Sequence, residues 1–428
     1  MTRVEPAGFL AGHIAVPGDK SISHRSVLIG ALADGETHVR GFGRSADTQS
    51  TIDAVRALGV QVDDVADDEL VVHGAGLRGL QAPDVPIDAG NAGTLMRLLP
   101  GILAGQEGRF ELTGDESLRS RPMDRIAEPL KRMGARIETT DGKPPVTVEG
   151  TDALKGIEYV LPMASAQVKS AILLAGLNAN GTTTVVEPAP TRDHTELMLQ
   201  AAGARVRRRP LSVSIEPAGQ LHLPEVTVPG DFSAAAPFIV AATLLPGSEL
   251  TIHEIGLNPT RTGLLDVLER MGARITAFHR RRSGGEPIGD LEVQSAELTA
   301  TKVTAEEIPR LVDELPLFAL AAGCARGESR VEGARELRVK ETDRIETVST
   351  SLRALGIRIT ARDDGFRVRG VPSRPMGGGM SSHGDHRIAM LGAVAGLVSR
   401  HGVELEDPQA VAVSFPGFFE LLHSVTQR

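Results

Sequence analysis

Apolar and polar positions along the chain fall into a unit that returns six times. Each copy has an Ala/Leu/Gly-rich stretch that reads as a close-packed helix, then a glycine turn, then a short strand. The copies run from Ser26 to Val39, Thr94 to Leu112, Gln167 to Val186, Ala234 to Ile252, Leu315 to Val331 and His386 to Leu405. Their turn glycines are Gly35, Gly108, Gly181, Gly247, Gly327 and Gly402, spaced 66–80 residues apart.

A second helix interleaves with the first and ends on a glycine C-cap at Gly59, Gly134, Gly203, Gly272 and Gly356. The strands that follow, such as Arg136-Ile137-Glu138 and Arg358-Ile359-Thr360, alternate polar and apolar as half-buried strands do. A truncated sixth copy is expected at Phe418 to Val425. Arg207 to Gln220 and His279 to Asp290 lack a clear period and are expected to be exposed loops or hairpin turns.

Six such units exceed one core, and they group three and three. Val16-Pro17-Gly18-Asp19 recurs as Val228-Pro229-Gly230-Asp231, each copy preceding a small-residue helix. These tetrapeptides are the candidate crossovers between two similar domains. One domain would span 19–228; the other would combine 1–18 with 229–428, its first strand lying at His13 to Val16.

Composition narrows the function. The chain of 428 residues has 47 glycines, no Trp, one Tyr and a net charge of −9. Scarce aromatics and negative charge disfavour nucleic acid, while a small anion remains possible where cations converge. One cysteine, Cys324, excludes an intrachain disulfide. It reads as a small buried hydrophobe, not a nucleophile. Met1 to Gly12 has no signal-peptide pattern, and the apolar run Ala234 to Leu245 is too short to span a bilayer. The expectation is a cytoplasmic protein with no membrane partner.

Candidate chemistry gathers at helix starts, where free N–H groups favour anions. Asp19-Lys20-Ser21-Ile22-Ser23-His24-Arg25 opens the first helix; read alone, it is equally a Ser-rich N-cap beside surface cations. Gly90-Asn91-Ala92-Gly93-Thr94 precedes a helix whose Arg97 opposes the macrodipole and calls for an anion. Arg119, Arg121 and Arg125 flank Pro122, either as a solvated loop or as an anion clamp. Ser165-Ala166-Gln167 and Arg192-Asp193-His194 open two more helices, and Asp313-Glu314 and Asp385-His386-Arg387 repeat the arrangement in the second half. Arg338 to Arg344 packs two acids and three bases into seven residues; if helical, Lys340 and Arg344 share a face. A solvated charge run remains the alternative there.

Two decoys fall away. Gly74 to Gly79 matches G-x-G-x-x-G, but Pro83 and Pro86 follow where a dinucleotide fold needs a helix. The 12 His show no metal-ligand spacing, so neither metal nor cofactor is expected.

Taken together, Gly18 to Arg25, Gly90 to Thr94 with Arg97, Arg338 to Arg344 and Asp385-His386-Arg387 resemble the 5-enolpyruvylshikimate-3-phosphate synthase family from end to end. The resemblance implies an α/β fold of two similar domains, each of three βαβαββ units around an inside-out barrel, joined by two crossovers. It implies transfer of the enolpyruvyl group of phosphoenolpyruvate to the 5-hydroxyl of shikimate 3-phosphate, with these two small molecules as partners of a monomer. Lys20, Ser21, Arg25, Ser165, Ala166, Gln167, Arg192, Asp313 and Lys340 would hold shikimate 3-phosphate. Lys20, Gly93, Arg121, Gln167, Arg344 and Arg387 would hold phosphoenolpyruvate, supported by Asn91, Thr94, Arg97 and His386. Asp313 would take the hydroxyl proton, and Glu341 with Lys20 would handle the proton on the methylene carbon. With cations drawn from both halves, the expectation is an open form that closes on substrate.

Two positions depart from one subgroup of that family: Ala166 stands inside an otherwise Ser-Ser-Gln triplet, and Val413 stands where a lysine is usual. Arg192 fits the other subgroup, whose glyphosate-tolerant members carry alanine at the position of Gly93. The alternatives are UDP-N-acetylglucosamine enolpyruvyl transferase and a non-catalytic anion-binding protein. The first uses a loop cysteine where this chain has Ser120; the second leaves Asp313 and Glu341 unexplained.

Overall fold

The computed structural model describes residues 1–427. The chain divides into domain one, Gly18–Pro229 with Arg282–Glu286, and domain two, Met1–Pro17, Gly230–Arg281 and Pro287–Arg428.

Domain one repeats one topology three times. In one unit, Ile87–Asp88 pairs in parallel with Arg109–Thr113, which pairs antiparallel with Lys143–Glu149, and Arg136–Thr140 forms the far edge. The connection between the two parallel strands is a helix, as parallel pairing requires. Glu158–Val160, Thr183–Val186, Ser212–Ile215 and Val206–Arg209 follow the same order. The remaining sheet takes its first strand, Glu225–Thr227, from the end of the domain and lays it parallel to Asp34–Arg40. Domain two uses the same scheme in Lys302–Val303, Gly327–Val331, Gly365–Gly370 and Arg358–Arg362. Its other two sheets carry Phe9–Ala15 beside Glu249–Gly256 and Gly378–Ser381 beside Val403–Glu406, both parallel pairs. This is the two-domain inside-out α/β fold, with helices inside and sheets outside.

The helices that matter below are α1 (Lys20–Leu32), α2 (Gly93–Leu103), α3 (Ala166–Gly176), α4 (His194–Ala201), α5 (Phe232–Leu244), α6 (Leu315–Cys324), α7 (Arg344–Ala354) and α8 (His386–Val398). In α1 every residue from Ile22 to Leu32 is buried, so the helix has no solvent face. Small residues make that possible: a Cβ on Gly101 of α2 would stand 2.2 Å from the Ala171 carbonyl oxygen of α3. Edge-to-core alternation is plain where a strand buries one face. Along Lys143–Glu149, Pro144, Val146 and Val148 point inward while Lys143 and Glu149 face water. Each such buried valine contributes roughly 1.5–3 kcal/mol.

Three local expectations change. The first strand is Thr2–Val4, and the strand expected at His13 to Val16 is Phe9–Ala15, which starts earlier. The two stretches expected as loops or turns are largely strand, Val206–Arg209 with Ser212–Ile215 and Arg274–Ser283 with Glu286–Gln294. Their arginines and glycines hid a period that backbone pairing supplies. Arg338 to Arg344 is not a continuous helix. A 3₁₀ turn ends at Val339, Asp343 caps α7 through the Glu346 N–H, and Arg344 is the first helical residue. Among the described residues, no helix is long and apolar enough to cross a membrane.

Candidate active site

In domain one the candidate residues lie at or near the N-terminal ends of α1, α2, α3 and α4, except Arg121, which lies between the helices Glu116–Arg119 and Asp124–Arg132. Asp19 caps α1 by accepting from the Ile22 N–H at 2.9 Å, which places Lys20 as the first helical residue. Lys20 Nζ bonds Asp47 Oδ2 at 2.9 Å, a partner that the sequence reading missed. Arg25, one turn on, is buried and donates to three uncharged oxygens. Ser165 caps α3 by accepting from the Val168 N–H at 3.4 Å, and Ala166 is the first residue of that helix. Arg192 precedes Asp193, the N-cap of α4, and lies close enough to Arg25 to help lower its pKa.

Arg97 finds its acceptor in Gln167 Oε1 at 2.8 Å, while Gln167 Nε2 donates to Thr94 Oγ1 at 3.2 Å. Arg97 and Thr94 thus fix the direction of the Gln167 amide. Arg121 Nη2 donates to Asn91 Oδ1 at 2.6 Å, and Asn91 Nδ2 donates to Asp115 Oδ2 at 2.7 Å. Gly93 sits under both guanidinia: a Cβ there would stand 3.0 Å from Arg121 Nη1 and 3.2 Å from Arg97 Nη1.

His24 is buried near Asp47, Lys20 and Arg25, bonded through Nδ1 to Thr51 Oγ1 at 2.6 Å. Burial drives its pKa from 6.5 to about 3; Lys20 and Arg25 push the same way, and Asp47 opposes them. A depressed histidine pKa means that below pH 6.5 the unfolded chain takes up a proton the fold refuses. Stability therefore falls with falling pH, by about 2 kcal/mol between pH 7 and 5 at 1.36 kcal/mol per unit. A His24→Gln variant is expected to lose that increment, read as the difference between urea unfolding free energies at the two pH values.

Domain two gathers charge around Asp313, in the 3₁₀ turn Val312–Glu314 that leads into α6. Lys340 Nζ lies 3.8 Å and Arg344 Nη1 3.6 Å from Oδ1; Arg261 Nη1 lies 3.7 Å and Arg387 Nη2 3.9 Å from Oδ2. Arg344 and Lys340 converge on this carboxylate from the end of a turn and the start of a helix, not from one helical face. Arg344 is 1% exposed and forks onto Asp385, Nε to Oδ2 at 2.8 Å and Nη2 to Oδ1 at 3.1 Å. Its Nη2 also donates to Glu341 Oε2 at 2.6 Å. Asp385 in turn caps α8 through the Arg387 N–H.

Burial alone would raise Glu341, but Arg344, His386 and Lys340 overcome it and hold the carboxyl at about 2. Burial is likewise outweighed by Arg344 at Asp385, which is held below its usual range. Burial would lower Arg344, but Glu341, Asp385 and Asp313 raise it above its ordinary value. Burial pushes the Cys324 thiol up to about 12, so it is no nucleophile.

Sequence reasoning missed Arg261, and it named Glu314 and Asp385 only as parts of helix starts, with no role of their own. Arg261 Nη2 donates to Ser233 Oγ at 2.6 Å, Ser233 donates to the buried Glu314, and Arg387 Nη1 lies 3.5 Å from Glu314 Oε1. One signal for Arg261 was present: Pro190-Thr191-Arg192 recurs as Pro259-Thr260-Arg261 at the same phase of the repeat.

Fold and site together define an α/β protein built to handle small anions beside a carboxylate. Residues 4–422 match the EPSP synthase (3-phosphoshikimate 1-carboxyvinyltransferase) family. A 3-phosphoshikimate 1-carboxyvinyltransferase of Alkalilimnicola ehrlichii is 50% identical over 419 residues, 98% of this chain and 94% of the relative. One from Halorhodospira halophila is 51% identical over 422 residues, 98% and 95% of the two chains. The solved EPSP synthase of Acinetobacter baumannii superposes with a TM-score of 0.91 at 44% identity, covering 99% of this chain and 97% of that one. The chain belongs to the EPSP synthase family.

Proposed function

We propose that the protein transfers the enolpyruvyl group of phosphoenolpyruvate to the 5-hydroxyl of shikimate 3-phosphate and releases phosphate. The observation that carries this reading is Asp313, a carboxylate with four cations within 4 Å. Addition needs a base for the hydroxyl proton in the same place as positive charge for phosphate and carboxylate groups. The two substrates bring roughly five to six negative charges, at about 1.5–2 per phosphate. Lys20, Arg25, Arg121 and Arg192 of domain one and Lys340, Arg344 and Arg387 of domain two are the cations this reading sets against them. Both are multiply charged and cross bilayers poorly, which fits a cytoplasmic enzyme.

In this reading Lys20, Ser21, Arg25, Ser165, Ala166, Gln167, Arg192 and Lys340 hold shikimate 3-phosphate, Ala166 through its backbone. Lys20, Gly93, Arg121, Gln167, Arg344 and Arg387 hold phosphoenolpyruvate, and Arg261 joins the cations that orient Asp313. Asp313 takes the 5-hydroxyl proton as that oxygen bonds to the central carbon of phosphoenolpyruvate, and the methylene carbon gains a proton. Phosphate then leaves the central carbon as the new methyl group gives a proton back. Glu341, held ionised by Arg344, suits this second step as acceptor; Lys20, with its ammonium, suits the first as donor. The phosphoenolpyruvate carboxylate at Arg344 would weaken that hold on Glu341 and ease its protonation.

The test is phosphate release from phosphoenolpyruvate with shikimate 3-phosphate as acceptor. Release with UDP-N-acetylglucosamine instead would overturn the reading. Gly93→Ala pushes on Arg121 and Arg97, so the KM for phosphoenolpyruvate is expected to rise severalfold and inhibition by glyphosate to weaken more than that. Unchanged inhibition would show that Gly93 is not at the phosphoenolpyruvate site.

A further inference from the structure

Arg25 is 3% exposed, and a guanidinium that deep in a protein ordinarily has a carboxylate against it. Here its partners carry no charge. Nε donates to Thr195 Oγ1 at 2.7 Å, Nη2 to Ser170 Oγ at 3.1 Å and Nη1 to the Ser21 carbonyl at 2.8 Å. Thr195 Oγ1 and Ser170 Oγ lie 2.7 Å apart and share a hydrogen bond of their own. The two hydroxyls cover the Nε/Nη2 edge of the fork as the two oxygens of a carboxylate would, without its charge.

The acid next to Thr195 is turned to other use. Lys169 and Ser170 are consecutive on α3, Thr195 and Glu196 consecutive on α4, and the pairs meet as two rungs. The neutral rung, Ser170 with Thr195, faces Arg25. In the charged rung Lys169 Nζ bonds Glu196 Oε1 at 2.7 Å and also Glu187 Oε2 at 3.0 Å, with all three side chains buried. Lys169 keeps Glu196 in place there. Among the described residues no carboxylate pairs with Arg25, and one N–H on each Nη is left for a ligand. Burial brings the Arg25 pKa down to about 10; Glu196, Asp19 and Glu286 oppose burial without bonding the fork, so the charge persists at neutral pH.

We propose that Thr195 and Ser170 are positioning residues, a neutral hydroxyl pair that fixes the Arg25 fork and leaves it without a paired carboxylate, open to an oxyanion of the substrate. The proposal rests on the shikimate 3-phosphate reading above. It explains how a cation can be both buried and available: the geometry comes from hydroxyls, and the anion comes with the substrate.

The experiment is calorimetric titration of the full-length protein and its variants with shikimate 3-phosphate and, separately, with inorganic phosphate, alongside steady-state kinetics. Thr195→Val, which keeps the shape and loses the acceptor, is expected to weaken shikimate 3-phosphate binding about tenfold. The KM for phosphoenolpyruvate should stay within twofold, and Thr195→Ser should restore wild-type affinity. Ser170→Asp should bind either anion at least tenfold more weakly than Ser170→Asn, since only the aspartate cancels the charge. Equal binding by those two variants would overturn the proposal, as would a Thr195→Val with unchanged affinity or with both KM values raised alike. If Thr195→Val does not fold, the Ser170 pair decides alone. Wild-type protein that neither binds shikimate 3-phosphate nor releases phosphate sinks the functional reading. The hydroxyl pair is then judged on inorganic phosphate, by the same Asp-against-Asn comparison.

Discussion

Asp313→Asn is expected to lower kcat by about 10²–10⁴-fold, the usual worth of a positioned general base. The substitution keeps size and hydrogen-bonding reach and removes the negative charge together with the capacity to take a proton. KM should not rise. Asp313 has Arg261, Lys340, Arg344 and Arg387 at 3.6–3.9 Å, beyond hydrogen-bond length but well within Coulomb range. Neutralising it leaves four cations with one less negative charge among them, which favours anionic substrates. Both KM values should therefore hold steady or fall while turnover collapses. A structural counter-ion predicts the opposite, since cations released from their shared carboxylate would misplace the substrates and raise KM. Near-normal turnover in the variant would refute the base assignment outright.

Local features were readable because each is carried by neighbours in sequence. Asp19, Ser165 and Asp385 each accept from an N–H two or three residues on, so the residue type at the helix start is itself the signal. The sixfold period rests on glycine turns in the same way. Partners across the fold were not readable: Arg344 reaches Asp385 over 41 residues, and Arg25 reaches Ser170 over 145 and Thr195 over 170. Neither Asp385 nor Thr195 differs in type from an ordinary cap or surface residue, and only packing brings them to the arginines. Arg338 to Arg344 was left open for a different reason. Charge spacing put Lys340 and Arg344 on one face only if the run were helical, but Asp343 is an N-cap and starts the helix at Arg344. That turn is what lets Lys340 and Arg344 approach Asp313 from two directions.

Arg344→Met should have the largest effect on stability, about 3–5 kcal/mol, because it removes one partner of a buried pair and leaves the other. Asp385 has no exposed side-chain surface and would keep only the Arg387 N–H and Thr342 Oγ1 as donors. Methionine fills much of the volume, so the loss is of charge and hydrogen bonds and not of packing. pH separates these. In the wild type, burial would raise Asp385 and Glu341, but Arg344 holds both down. Their contribution is present above their unfolded values of 3.8 and 4.5 and is lost as pH falls. In the variant burial prevails, Asp385 rises, and protonation relieves the buried charge. The stability gap between wild type and Arg344→Met should therefore be widest near pH 7 and shrink on acidification below about pH 5. Arg344→Lys, which keeps the charge but cannot fork, should fall between the two at neutral pH. A gap that stays constant with pH would mean that Arg344 supports the fold through its bulk and not through its charge.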